Sequence, residues 1–404
     1  MMGSNDVPKH TLVSAHDIVI RVIVIVLALT VSSVAMTSYE TRTIEPQAQW
    51  EVLVDSFEME VDYWEDIAFF NATEGWVVGK GDVGTEYEDR DHGIVMHTNN
   101  GGVDWELMYS EQHLSIYHIE IVDVDTIWLA TRRGLLHTED RGAFWKYSSG
   151  TGSTGFAAVK FRDNFFGLAS IDKGLSYTID EGETWYELET WNFNASLFEI
   201  SFVGDDIIWA CGISGIYRSS DGGSSWNQQR TQTANAMSVL SESEAWALSS
   251  GLGITHSTDG ETWSEDIVVS EFSYQTGFYY DMEFIDENNG WLAGTGKPSV
   301  AYTPDGGKTW YAQMASSPRS IMTVDFVNET HGWVAGWNGF IGKTINGNQF
   351  GSKLIIDGYE FPVIMGTLRV PRSVAIIDTA LIVILPVLFL FERVLFIIRR
   401  GRNQ

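Results

Sequence analysis

Five aspartates, Asp140, Asp180, Asp221, Asp259 and Asp305, recur in one setting along the 404-residue chain: a Ser or Thr two residues before, a Gly just after, and a Trp beyond it. Repeated carboxylates could serve as general acids and bases or as ligands of a hard cation. The setting argues against both. An Asp two residues before Gly accepts backbone N–H bonds of a tight turn, the Gly takes positive φ, and the Trp packs the hairpin down. The further carboxylates and distal Glu of a calcium loop are missing. These residues therefore read as structural, and so do the others of the same boxes: Asn100, Trp105, Trp145, Trp185, Trp226, Trp263, Trp310, Asn346 and Phe350. No catalytic residue, metal ligand or cofactor is assigned.

A second group of side chains could carry binding chemistry. An insert over residues 80–92 holds Asp82, Glu86, Glu88, Asp89 and Asp91; Arg132 and Arg133 form a pair; Trp337 and Asn338 sit late in the chain. Carboxylates, guanidinium groups and an aromatic together suit a protein or glycan contact. The insert reads equally as a solvated loop, with calcium binding a lesser alternative, and the Arg pair could simply neutralise it. A further aromatic set, Trp191, Phe193, Tyr274, Tyr279 and Tyr280, serves either a surface or packing between repeats.

The elements that would position these residues follow from the repeat. Boxes at 98–105, 138–145, 178–185, 219–226, 257–263, 303–310 and 344–350 succeed one another at the period of propeller blades. Before each lies an apolar strand, such as Gly75-Trp76-Val77-Val78-Gly79 or Gly332-Trp333-Val334-Ala335-Gly336, and before that another. With the strand into the box and the strand after its Trp, each unit supplies four strands. Radial repetition buries faces that no unit could bury alone. The fold class predicted is an all-β, seven-bladed propeller of four-stranded antiparallel blades spanning 45–357. In such a ring the turns carrying the insert, Arg132 and Trp337 share the face opposite the boxes, in one sector. Trp50 resembles the Trp of a box yet has no box before it, so residues 50–54 are expected to close blade seven as its outer strand. The alternative closure uses 352–356.

The boxes resemble the bacterial neuraminidase repeats. The unit with Gly-Trp-x-x-Gly followed by Thr-x-Asp-Gly-Gly-x-Thr-Trp, as at 290–294 and 303–310, is similar to the photosystem II assembly and stability factor family of seven-bladed propellers. That resemblance implies binding of a membrane-protein assembly intermediate outside the cytoplasm.

The two ends are of another kind. Residues 17–39 are apolar and long enough to cross a bilayer, with a small-residue motif that also fits a cleaved signal peptide. Residues 374–398 form a second predicted membrane helix after a linker at 358–373. The basic tail 399–404 places the C-terminus in the cytoplasm and the propeller outside; residues 1–16 form a cytoplasmic tail if the first segment is uncleaved. The net charge is −29, and of the acidic residues only Asp6, Asp17, Asp378 and Glu392 lie outside 40–372, which excludes a nucleic-acid partner. Cys211 is the only cysteine, so no intrachain disulfide forms. The expected function is a noncatalytic scaffold or membrane-complex assembly factor, held by one or two helices and bound to another membrane or surface protein. The alternatives are a glycan-binding adhesion protein or a sialidase-like hydrolase.

Overall fold

The structure, a computed structural model, describes residues 50–54, 60–82, 92–151, 155–171, 174–249, 253–264, 267–268, 278–295, 298–314, 320–349, 352–353, 363–364 and 368–369. They all belong to one compact unit, Gln47–Gln404. No described helix is long and apolar enough to cross a membrane. The expected segments 17–39 and 374–398 lie outside the described residues, as do Glu86, Glu88, Asp89, Asp91, Tyr274 and Phe350.

Seven antiparallel sheets form the predicted ring. Blade one runs Glu60–Phe69, Gly75–Asp82, His92–Thr98 and Glu106–Gln112, from the innermost strand outward. The inner strands of the next five blades are Ile116–Ile121, Phe156–Phe161, Leu197–Val203, Ala234–Val239 and Tyr279–Phe284. Blade seven begins with Ile321–Phe326 and is completed from the other end of the chain: Trp50–Val54 pairs with Ile341–Thr344, Trp50 opposite Thr344. The first expected closure therefore holds. Ser352–Lys353 instead adds a fifth strand to blade six, beside Tyr311–Ala312. By this topology the chain enters Trp50–Val54 from the Asp-box side and leaves Ser352–Lys353 toward it.

Blades are joined by aromatic stacking. The second strand of most blades carries a buried Trp, and at three of the seams the inner strand of the following blade ends in a Phe that lies flat on it. Trp246 and Phe284 are 3.9 Å apart, Trp291 and Phe326 3.7 Å, and across the closing seam Trp333 and Phe69 3.6 Å. The same Trp donates its indole N–H to a glycine carbonyl in the next Asp box: Trp246 to Gly306, Trp291 to Gly347 and Trp333 to Gly101. Blade five has the box that is one residue short, and there Trp209 Nε1 of blade four finds no described partner. Blade three has Leu168 where its neighbours have Trp, and Trp191 fills the gap against Trp226.

The boxes are built as turns. Asp140 Oδ1 accepts the N–H of Phe144 at 2.9 Å, and Asp180, Asp221 and Asp305 accept the corresponding N–H groups of Thr184, Ser225 and Thr309. Asn100 does so with its amide oxygen, and Asp259 serves Glu261 and Thr262 in the shortened box. In the last box Thr344 donates to Asn346. Gly182 shows why the glycine is needed. Its φ is +81°, and a Cβ there would stand 2.2 Å from the Trp128 ring, which is itself stacked on His137. Gly182→Ala should therefore cost about 3 kcal/mol by combined left-handed strain and overpacking. A urea midpoint equal to that of the parent would contradict this.

Candidate functional site

The turns between second and third strands, and the links between blades, share the face away from the boxes. Arg132 and Arg133 occupy such a turn in blade two, both exposed. Arg133 Nη1 pairs with Glu111 Oε1, on the outer strand of blade one. Tyr109 and Tyr147 hydroxyls also donate to Glu111, at 2.6 and 2.7 Å. Burial opposes ionisation of Glu111, but these three donors hold it below the usual carboxylate range. Arg133 is thus neutralised by Glu111. Arg132 is tied only through its backbone N–H, to Ser115 O, and its side chain forms no ion pair with a described residue.

Trp337 and Asn338 form the equivalent turn of blade seven. Trp337 is 48% exposed, lies 5.9 Å from Tyr63 of blade one, and donates its indole N–H to Met322 Sδ at 3.3 Å. Asn338 has φ +58° and donates its backbone N–H to Asp62 O, so it fixes the turn to the next blade. Asp82 ends the second strand of blade one. The ring order puts these three turns side by side, although no described contact joins the Arg pair to Trp337. Of the further aromatic set, Trp191 and Tyr279 are buried, and Phe193 packs on Trp191 and Tyr217. These three pack within and between blades, and only Phe193 of them is partly exposed.

What the sequence reading missed lies on the ring axis. The inner strands enclose a cavity of about 560 Å³. Each inner strand carries a β-bulge early in its course, and a bulge re-aims its extra residue. Those residues include Glu65, Tyr117, Phe198, Asn235, Tyr280 and Met322, and all six line the cavity. They form a collar at its end away from the boxes.

Below the collar the lining holds several carboxyl groups and a single ammonium, Lys160. The carboxyls stitch neighbouring blades together. Asp66 accepts Ile119 N–H at 3.0 Å, Glu199 accepts Met237 N–H at 2.7 Å, Asp281 accepts Val324 N–H at 2.9 Å, and Asp325 accepts Phe69 N–H at 2.8 Å. Glu120 takes both Phe161 N–H and the Lys160 ammonium, the latter at 2.7 Å. Each inner strand is a sheet edge whose outward N–H groups need acceptors once buried, and a side chain from the adjacent blade supplies them. Burial pushes Asp66 and Glu199 up to about 8, Asp325 to about 7 and Asp281 to about 6. Burial also drives His118 down to about 3, so its ring is neutral at physiological pH. The signal for this layer was present in the sequence as isolated acids in apolar inner strands, such as Glu199 between Phe198 and Ile200.

Comparison with known proteins adds a family likeness. The model of the photosynthesis system II assembly factor YCF48 matches residues 227–345. The photosystem II assembly lipoprotein Ycf48 of Picosynechococcus sp. is 25% identical over 193 residues, 44% of this chain and 56% of that protein. The chain thus matches little more than half the length of that curated relative. Among solved structures, YCF48 bound to D1 peptide superposes with a TM-score of 0.58 at 19% identity, covering 74% of this chain and 97% of that one. The GH74 xyloglucanase of Xanthomonas campestris shares the fold at 13% identity and a TM-score of 0.57, covering 78% of this chain and 57% of the enzyme. The chain is a seven-bladed Asp-box propeller similar to the photosystem II assembly factors.

Proposed function

We propose that this chain is a noncatalytic, membrane-anchored propeller that binds an extracytoplasmic segment of another membrane protein and stabilises it during assembly. The observation that supports it most is that the assembly-factor likeness, over 227–345, falls on the ring itself. A structural relative of that ring is YCF48 bound to D1 peptide. The chemistry of the axis agrees with a role without turnover. Asp66 and Asp281 each engage both carboxylate oxygens with backbone N–H donors, whereas a hydrolytic acid or base must present an oxygen to substrate. No arginine lines the described cavity, as a sialic-acid carboxylate clamp would require.

With 17–39 and 374–398 as anchors, the Asp-box side, where Trp50–Val54 begins, faces the bilayer. The opposite face, with Arg132, Arg133, Trp337 and the 80–92 insert, then points away from the bilayer and meets the partner. The test is recovery of membrane proteins from detergent extracts by the tagged chain. Replacing Arg132 and Arg133 together by Glu should lower recovery of the main partner about fivefold with no change in melting temperature, since exposed substitutions cost little stability. Recovery of no membrane protein overturns the reading; undiminished recovery by the double variant removes the Arg pair from it.

A further inference from the structure

We propose that the axial mouth on the face away from the Asp boxes is a socket for a lysine or arginine side chain of the protein partner, with Tyr117, Phe198 and Tyr280 gripping the cation beside the carboxyl of Glu65 and above that of Glu199. The inference rests on the binding role just proposed and names the chemistry of the group bound.

Three independent features converge on it. First, the bulges aim aromatic side chains at the axis and leave them wet: Tyr117 is 41% and Phe198 36% exposed. Ring faces of this kind attract a cation that sheds part of its water. Second, the carboxyl groups of the described lining outnumber its cations. Lys160 is the only ammonium among the described lining residues, and Glu120 holds it at 2.7 Å, so neither Glu65 nor Glu199 forms an ion pair with it. Burial raises both above the usual carboxylate range, and a cation entering the mouth would favour their ionised forms. Third, the volume of about 560 Å³ admits a long side chain with its hydration water and is too small for a folded element. The aromatic surface also continues outward from the rim. Met322 contacts Trp337, and Trp337 lies against Tyr63, a track on which a peptide backbone can rest while one side chain descends. That continuity selects a protein partner over a free amine.

The experiment titrates the full chain in detergent with the peptide acetyl-Gly-Gly-Lys-Gly-Gly-amide and with its norleucine counterpart, followed by intrinsic fluorescence. The lysine peptide should bind at least about tenfold more tightly, and Tyr117→Leu combined with Phe198→Ala should remove most of that difference. Both positions are exposed, so the fold is kept, and an unchanged melting temperature verifies it. Equal affinity for the two peptides, or lysine affinity untouched by the double variant, overturns the socket. Spermidine binding that depends on Tyr117 and Phe198, with the lysine peptide ignored, overturns the assignment to a protein side chain. Failure of the two readings is distinguishable. Peptide binding without membrane-protein recovery sinks only the assembly role, and recovery that survives the double variant without peptide binding sinks only the socket.

Discussion

Replacing residues 50–54 by a Gly-Ser-Gly-Ser-Gly run should lower the melting temperature by about 10 °C, a loss of roughly 5 kcal/mol in a domain of this size. Length and connectivity are kept, so only the strand is lost. Three contributions disappear together. The ladder from Trp50 opposite Thr344 to Val54 opposite Ile341 is broken. Trp50 no longer meets Phe326 edge-on at 6.0 Å, nor donates its indole N–H to Gln313 at 3.3 Å. Leu53 leaves the cluster in which Trp64, Phe69 and Trp333 seal blade seven to blade one. Ile341–Thr344 then becomes an open edge, and open edges pair with other chains. Scanning calorimetry measures the drop, and size-exclusion chromatography should show oligomers in the variant alone. A melting temperature within about 2 °C of the parent would mean that the ring does not depend on this strand.

The second large effect is on pH. Asp281, Asp325, Asp66 and Glu199 have pKa values raised by burial to about 6, 7, 8 and 8, against ordinary values near 4 in the unfolded chain. A raised carboxyl pKa means that the folded ring binds protons the unfolded chain has released. The stability these groups contribute is full below about pH 4 and declines as pH rises to about 8. The box aspartates act in the opposite sense. The hydroxyl of Thr262 and backbone N–H donors hold Asp259 down at about 2, so its contribution is lost only in strong acid. Stability should therefore peak on the mildly acidic side and fall from about pH 5 to about pH 8.5. Urea midpoints across that range measure it. Glu199→Gln retains an oxygen acceptor for the Met237 N–H and cannot ionise, so it should flatten the slope. A midpoint that rises with pH, or a slope unmoved by Glu199→Gln, would show that the axial carboxyls are not the cause.

The sequence was informative wherever a feature repeats. Seven boxes, all but one with a preceding Trp strand, specify seven blades, because each box turn carries its own acceptor, glycine and aromatic within eight residues. The closing strand was legible for the same reason: Trp50 has the context of a box Trp without a box. The axial collar was not, because each blade contributes one residue to it, and Glu65, Tyr117, Phe198 and Tyr280 share no type. Only the ring geometry shows that they are neighbours, and only the bulges turn them inward. The Arg pair is exposed as its turn position suggests, but Glu111, an unremarked acid of an outer strand that reaches Arg133, was not legible. Trp191 was ambiguous until blade three proved to lack its Trp, which made this side chain a filler.

The completion of blade seven by Trp50–Val54 also imposes an order on synthesis. Almost every other strand finds its partner within a blade's length of chain, as soon as it emerges. Trp50 must wait for Thr344, which at ordinary translation rates of about 5–20 residues per second is a delay of roughly fifteen seconds to a minute. Throughout it the nascent chain is an unfinished crescent, with the apolar flank of blade one, Trp64 and Phe69 included, turned outward. Emergence of the first strand of the ring and capture of the last blade are thereby coupled in time. The first strand of the ring to emerge is the last to be locked.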